Sequence, residues 1–75
     1  DIEHDVVIGN YNQIAPSAVI CGSCSISDNV FIGANATIIE CLSLEKYSVI
    51  GAGAVVTHDI VESGKTWVGR PARSV

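Results

Sequence analysis

Aliphatic residues recur at every sixth position through most of this chain, without interruption. The positions are Ile2, Ile8, Ile14, Ile20, Ile26, Ile32, Ile38, Leu44, Ile50 and Val56. A period of six matches neither the 3.6-residue turn of a helix nor strand alternation, which repeats every second residue. A fixed hexad is typical of a parallel β-helix, in which each repeat forms one side of a coil.

This aliphatic ladder predicts an all-β fold, a parallel β-helix of triangular coils. Three hexads give about eighteen residues per coil. We therefore expect about three coils, at 2–19, 20–37 and 38–55, followed by a short tail. The ladder does not give the hand of the coil, although parallel crossovers are in general right-handed.

The residues flanking the ladder are mostly small. Those directly after it include Gly9, Gly33 and Gly51, which we expect at sharp corners where glycine permits a positive φ. Those two places before it should point inward beside a corner, where little volume is available. They are Val6, Asn12, Ala18, Cys24, Val30, Ala36, Leu42, Ser48 and Ala54.

The hexads end after Val56, so we divide the chain into a β-helix over 1–57 and a C-terminal part over 58–75. The second part is expected to contain a loop that leaves the coil, a short strand at 66–68 and a closing turn. Trp67 is large enough to cap the end of the core.

Composition agrees with one small ordered domain. The chain is 48% hydrophobic and 16% charged, which argues against disorder. No apolar run approaches the ~20 residues of a membrane span, and no signal peptide is visible, so a cytoplasmic protein is expected. Because the chain begins at Asp1 partway into a hexad, we expect a preceding N-terminal domain to be missing from this stretch.

The net charge is −4, but the cations are concentrated at one end. Residues 1–64 contain all the acids and only one lysine, Lys46, whereas the last eleven residues carry Lys65, Arg70 and Arg73. This acidic body disfavours nucleic acid as a partner, since phosphate contacts need many cations. The basic end fits either a solvated tail or an anion site.

The spacing of Cys21 and Cys24 permits redox chemistry or half a zinc site. Neither a βαβ unit nor a second ligand pair accompanies them. An odd number of cysteines without a secretion signal fits reduced thiols. We expect Cys24, at an inward position, to be a small core residue.

His4 lies between two carboxylates, those of Glu3 and Asp5. A histidine oriented by a carboxylate is the usual general base, but a solvated corner histidine has the same pattern. Gly22 follows His4 by one coil and should stack on it at the strand spacing of about 4.8 Å. A base beside an accessible amide is the minimal equipment for acyl transfer, although Gly22 also suits a tight corner.

Two segments resemble a known family. Residues 51–56, 59–60 and 68–73 resemble the C-terminal end of hexapeptide-repeat acyltransferases. Residues 3–16 with Cys21-Gly22 are similar to the sialic acid O-acetyltransferase group, which includes bacterial UDP-sugar and perosamine N-acetyltransferases. The resemblance implies a left-handed β-helix, a homotrimer, acetyl-coenzyme A as cosubstrate, no metal, and a sugar or nucleotide-sugar as acceptor. It also implies that the domain missing from this stretch is an N-terminal nucleotide-sugar-binding domain. The lack of a long apolar run implies no membrane partner.

The resemblance also implies roles for individual residues. His4 matches the catalytic base, Asp5 the acid that follows it, and Gly22 the amide that meets the thioester oxygen. Coenzyme A contacts are implied for Gly22, Ala34, Ala52, Arg70 and Arg73, and acceptor contacts for Tyr11 and Gln13. Many members of the family have histidine where this chain has Gln13, so the acceptor is left open.

Two other functions fit the same fold. A γ-type carbonic anhydrase needs three histidines from neighbouring coils and chains, whereas this chain has only His4 and His58. A β-helix that acts only as a trimerisation scaffold needs no site residues at all.

Overall fold

A computed structural model describes residues 2 and 5–75 of the chain. The described part contains short strands and no helix. The strands are β1 (Val7–Ile8), β2 (Gln13–Ile14), β3 (Val19–Ile20), β4 (Ser25–Ile26), β5 (Phe31–Ile32), β6 (Thr37–Ile38), β7 (Ser43–Leu44), β8 (Val49–Ile50), β9 (Val55–Val56), β10 (Thr66–Val68) and β11 (Arg73–Ser74). Accordingly, these residues include no helix long and apolar enough to cross a membrane.

The strands form three sheets that make the sides of a triangular coil. Sheet 1 is β1-β4-β7, sheet 2 is β2-β5-β8-β10-β11, and sheet 3 is β3-β6-β9. Within the coils each strand pairs in parallel with the strand one full coil later; Ile8, for example, lies opposite Ile26, which in turn lies opposite Leu44. The predicted triangular β-helix and its register are therefore confirmed.

The aliphatic ladder fills the interior. From Ile20 to Val56 its side chains are at most 2% exposed. Those from Ile20 to Ile50 have a paired residue on both sides, whereas Val56 lies on β9, the last strand of sheet 3. Ile2 in the first coil is 47% exposed. Each fully buried aliphatic side chain contributes roughly 1.5–3 kcal/mol, so the ladder is the main source of stability. The positions two before it, from Ala18 to Ala54, are buried as predicted.

Three corners connect the sheets, and their names are used below. Corner I joins sheet 3 to sheet 1, corner II joins sheet 1 to sheet 2, and corner III joins sheet 2 to sheet 3. Corner I contains Asp5, 21–24 and 39–42; corner II contains 9–12, 27–30 and 45–48; corner III contains 15–18, 33–36 and 51–54.

At each corner the left-handed backbone falls three places after the ladder, not one. The residues with positive φ there are Asp5, Tyr11, Ser17, Ser23, Asn29, Asn35, Cys41, Tyr47 and Gly53. From the second coil onward, most of their N–H groups donate to a carbonyl of the preceding coil, as Asn29 does to Asn10 at 3.0 Å. The expectation of a positive φ at Gly9, Gly33 and Gly51 is therefore wrong.

Those glycines are instead required by the close approach of the next coil. A Cβ built on Gly33 would lie 2.7 Å from the backbone nitrogen of Ala52, and one on Gly51 would lie 2.8 Å from Val68 Cγ1. Real side chains do not approach so closely. The small residues at this position therefore reflect space and not φ.

The chain does not leave the coil after Val56 as expected. Ile60 is 1% exposed and forms a parallel bridge with Leu44, so it continues sheet 1. β10 then pairs in parallel with β8. Trp67 is half-buried and packs against the core, as expected for a cap. The antiparallel partner β11 was predicted only as a turn.

Candidate functional site

Corner I contains two of the three predicted catalytic residues. Asp5 is exposed with a φ of 64°. Gly22 is half-buried, and its carbonyl accepts the N–H of Cys41 at 3.0 Å. His4 and Glu3 lie outside the described residues. The parallel bridge between Ile2 and Ile20 carries the coil register into this corner.

Corner III brings together three residues predicted to contact coenzyme A. The carbonyl of Ala34 accepts the N–H of Gly53 at 2.8 Å, so Ala34 and the Ala52–Gly53 segment lie on successive coils. Arg70 donates its Nε–H to the carbonyl of Gly53 at 3.2 Å. A Cβ on Gly53 would lie 3.8 Å from Arg70 Nη2, so the guanidinium lies against the glycine.

Arg73 takes a different position from Arg70. It belongs to β11, where its register partner is Val68 at the end of sheet 2. Among the described residues, no hydrogen bond of its side chain connects it to corner III. The two arginines predicted to act together are thus held by different elements.

Tyr11 and Gln13, predicted to contact the acceptor, lie away from both groups. Tyr11 is 86% exposed on corner II. Gln13 is exposed on β2, opposite Phe31. Within one chain, the structure therefore distributes the predicted site residues over three corners and does not bring them into a single cluster.

The backbone amides two places after the ladder differ in their hydrogen bonds. On corner II the N–H of Asn10 donates to Asp28 Oδ1 at 2.8 Å, and the N–H of Lys46 donates to Glu45 Oε1 at 2.9 Å. The equivalent amides of Gly22, Ala34 and Ala52 donate to no described residue. They are available to a carbonyl oxygen or an amide of a ligand.

The cysteines show a structural arrangement. Cys24 is 1% exposed and its Sγ donates to the carbonyl of Ile39 at 3.0 Å, which confirms it as a core residue. No disulfide links the cysteines, all of which the structure describes. Within residues 2 and 5–75 no three histidine, cysteine or carboxylate side chains come together as metal ligands.

Two contacts escaped sequence analysis. The Gly53 carbonyl that holds Arg70 has no signature beyond its place in the repeat. The carboxylate of Asp59 accepts the N–H of Ser43 at 2.9 Å. It takes the place of the backbone carbonyl that a following strand would supply. Asp59 had been noted only as part of the family resemblance.

Comparison with known proteins supports the resemblance. Residues 23–58 match the family described as bacterial transferase hexapeptide (six repeats). The fold superposes with a TM-score of 0.94 on a mutant of perosamine N-acetyltransferase from Caulobacter crescentus, in complex with CoA and GDP-perosamine. The two share 25% identity over 97% of this chain and 34% of that one. A coil of the opposite hand would not superpose, so the left-handed β-helix is confirmed.

Curated relatives point to two kinds of enzyme. The chain is 39% identical over 71 residues to gamma carbonic anhydrase 1 of Arabidopsis thaliana, covering 93% of this chain and 26% of the relative. It is 46% identical over 52 residues to a tetrahydropyridine-dicarboxylate N-acetyltransferase of Clostridium perfringens, covering 69% of this chain and 22% of the relative. The chain thus spans about a quarter of these relatives.

Proposed function

We propose that this chain, whose residues 23–58 match the bacterial transferase hexapeptide family, transfers an acetyl group from acetyl-coenzyme A to an amine or hydroxyl of a sugar or nucleotide-sugar. The observation that carries this proposal is the superposition over 97% of the chain on an N-acetyltransferase bound to CoA and GDP-perosamine. Because one fold can host many functions, the proposed chemistry is assigned to the residues of corner I.

The proposed reaction is a direct transfer. His4 removes a proton from the acceptor amine or hydroxyl as its nitrogen or oxygen bonds to the acetyl carbonyl carbon. The carbon–sulfur bond then breaks, and coenzyme A leaves as its thiol with a proton returned by the imidazolium. Asp5 supports the protonated ring. No acyl-enzyme forms in this scheme.

Gly22 stabilises the charge that develops on the thioester oxygen. Its amide donates to no described residue and lies on corner I, on the coil that follows Asp5. A backbone N–H aimed at an oxyanion is worth roughly 10²–10³ in kcat. This proposal needs the Gly22 peptide to keep its orientation, which the Cys41 hydrogen bond to the Gly22 carbonyl supports.

Coenzyme A lies along corner III in this proposal. The amides of Ala34 and Ala52 donate to no described residue and face the pantetheine arm, whose two amide groups are matching partners. Arg70, held against Gly53, binds a phosphate of the nucleotide, and Arg73 adds positive charge from β11. Arginine binds phosphate strongly because its planar donors match phosphate oxygens.

The complete site requires more than one copy of the chain. Gly22 lies on corner I and Ala34 on corner III, on opposite sides of sheet 3. We therefore assign the active form as a homotrimer in which corner I of one copy meets corner III of the next. Tyr11, on corner II, and Gln13, on β2, are the residues proposed to contact the acceptor. A monodisperse folded monomer that transfers acetyl groups would contradict this assembly.

The test combines the full chain with acetyl-coenzyme A and nucleotide-sugars that carry either a free amine or only hydroxyls. Free thiol is followed optically and the acetylated sugar by mass. The proposal predicts thiol release that requires one of these acceptors. Calorimetry with coenzyme A distinguishes the scaffold alternative: a well-folded oligomer that neither binds coenzyme A nor releases thiol would support a purely structural role.

A second candidate is supported by the 39% identity to gamma carbonic anhydrase 1. The described residues of one chain do not fit a zinc site, because no three ligating side chains converge there. The ring of His58 lies 5.8 Å from that of Trp67 near the C-terminal end. Stoichiometric zinc in the purified protein, with CO₂ hydration and no acetyl transfer, would favour this candidate.

A further inference from the structure

Three of the four aromatic residues lie on one edge of the molecule. Tyr11 and Tyr47 belong to corner II, and Phe31 lies on β5 of the adjoining sheet 2. Their exposed fractions are 86%, 56% and 41% respectively. We call these residues, together with Asn29 and Gln13, the aromatic edge. Because much of each ring is in solvent, packing within the chain does not explain its presence.

The two tyrosines occupy equivalent positions in the first and third coils. Asn29 takes the same position in the second coil, since β2, β5 and β8 are paired in register. Two coil spacings place the tyrosine Cα atoms about 9–10 Å apart, with Asn29 midway. The aromatic edge is thus a row of Tyr11, Asn29 and Tyr47 along corner II, with Phe31 on β5 beside it.

The backbone of this row is fixed. Tyr11, Asn29 and Tyr47 all have left-handed backbone, with φ of 61°, 58° and 60°. The N–H of Asn29 donates to Asn10 and that of Tyr47 donates to Asp28, at 3.0 and 3.1 Å. Bulky residues are rare in this conformation, in which asparagine and glycine are common.

The equivalent positions of the other two corners carry small or polar residues. Those on corner III are Ser17, Asn35 and Gly53, and those on corner I are Asp5, Ser23 and Cys41. The fold therefore does not require tyrosine at this position. Tyrosine is placed on one corner only, twice, where its ring is exposed and its backbone is held in place.

We propose that the aromatic edge binds an oligosaccharide of pyranose sugars, one ring of the sugar chain over each tyrosine. The C–H faces of a pyranose pack on aromatic rings, and its hydroxyls hydrogen-bond to amides such as those of Asn29 and Gln13. The separation of the two tyrosines suits sugars that are neighbours or next neighbours in an extended chain. Because the backbone beneath the tyrosines is held, binding needs to order only their side chains.

A second copy of this chain is the less suitable occupant. The three rings together expose about 400 Å² at most, whereas each partner in a stable protein interface contributes about 800 Å². The tips between the rings are polar, with Asn10, Asn29 and Lys46 on the same corner. A small, amphipathic ligand therefore matches the edge better than a protein surface does.

This inference goes beyond acetyl transfer. It shares Tyr11 and Gln13 with the acceptor contacts of the proposed function, but it concerns binding along corner II and requires no coenzyme A. Its test measures binding only, so it can fail while acetyl transfer succeeds, or succeed while acetyl transfer fails.

The experiment titrates the full chain with maltotriose, with the β1,4-linked trisaccharide of N-acetylglucosamine, and with the corresponding monosaccharides. Binding is followed by saturation-transfer NMR and by tyrosine fluorescence. The variants are Tyr11→Asn and Tyr47→Asn, singly and together. Asparagine occupies the same position in the second coil, so the backbone is preserved. Ser17→Asn on corner III is the matched control.

We expect at least one trisaccharide to bind about tenfold more tightly than its monosaccharide, and the double variant to lose at least tenfold in affinity while the control does not. Saturation transfer should report contact with the sugar C–H protons. Absence of trisaccharide binding, or equal binding by the double variant, would overturn the proposal. A change of sedimentation coefficient in the tyrosine variants with unchanged saccharide affinity would instead identify the edge as a contact between copies.

Discussion

Arg70 is held on corner III by the carbonyl of Gly53, to which its Nε–H donates at 3.2 Å. This bond uses only one of the five N–H donors of the guanidinium. Its Nη2 lies beside Gly53, whose N–H donates to the carbonyl of Ala34 on the preceding coil. The fold therefore presents a positioned cation at the corner along which we propose that coenzyme A lies.

Arg70→Gln should raise the KM for acetyl-coenzyme A by roughly 10–100-fold with little change in kcat, because a hydrogen bond to a charged group is worth about 1.5–3 kcal/mol. Arg70→Lys keeps the charge but loses the bond to Gly53, so an intermediate effect is expected. Steady-state kinetics with varied acetyl-coenzyme A measures both.

Acetyl-pantetheine, which lacks the nucleotide, is the control substrate for this prediction. Its kinetics should not respond to Arg70→Gln. An equal loss with both thioesters would show that Arg70 acts on the fold and not on the nucleotide. Arg73→Gln, on β11, should have a smaller effect than Arg70→Gln.

The ladder predicts a position-dependent cost for removing one methyl group. Ile38→Val, at 0% exposure in the central coils, should lower the free energy of unfolding by about 0.5–1.5 kcal/mol. Ile2→Val, at 47% exposure, should cost less than half as much. Urea unfolding of both variants tests this, and equal costs would mean that Ile2 is covered by a partner in solution.

Gly33→Ala should destabilise the chain although φ at this position is not positive. Its Cβ would meet backbone atoms of Ala52 at 2.7 and 3.0 Å, and backbone cannot move aside as a flexible side chain can. Overpacking of this kind costs about 1–3 kcal/mol. Each kcal/mol lowers Tm by roughly 4–8 °C in a domain of this size.

Gly64 provides the matched control for that substitution. It has a φ of +74° with no atom within 4 Å of a built Cβ. Gly64→Asn should therefore change Tm by only a few degrees, since asparagine tolerates left-handed backbone. If Gly33→Ala melted at the same temperature as the parent, the close approach of the coils would be wrong.

Asp59→Ala should lower stability by about 1 kcal/mol, because the Ser43 N–H at the open end of sheet 1 would lose its acceptor. Asp59→Asn retains the Oδ1 acceptor and should restore most of the loss. Chemical denaturation of the pair distinguishes the hydrogen bond from the charge. Equal destabilisation by both substitutions would assign the effect to charge.

The sequence was sufficient to predict the triangular coil and its register, although the ladder does not give the hand. Ten aliphatic residues at one spacing fix the register, and burial from Ile20 to Val56 follows from that register. The corner glycines were explained incorrectly, since composition alone cannot distinguish a need for positive φ from a lack of space. Only the structure shows the backbone of Ala52 passing beside Gly33.

The C-terminal tail and the candidate site were less predictable than the coil. The hexads stop after Val56, so nothing in the pattern indicates that Ile60 returns to sheet 1 beside Leu44. Likewise, the predicted register stacks Gly22 on His4, but nothing in the pattern indicates that Arg70 returns to the Gly53 carbonyl on corner III. The distribution of the predicted site residues over corners I, II and III is what makes an assembly of copies necessary to the proposed site.

The central claim is acetyl transfer with His4 as general base, and a comparison of the parent chain with His4→Ala tests it most directly. Both are assayed with acetyl-coenzyme A and an acceptor nucleotide-sugar, and both are checked for the same oligomeric state. A positioned general base contributes roughly 10²–10⁴-fold. We therefore predict that kcat falls by about that factor while the affinity for coenzyme A is retained. An unchanged kcat in His4→Ala would contradict the proposed mechanism.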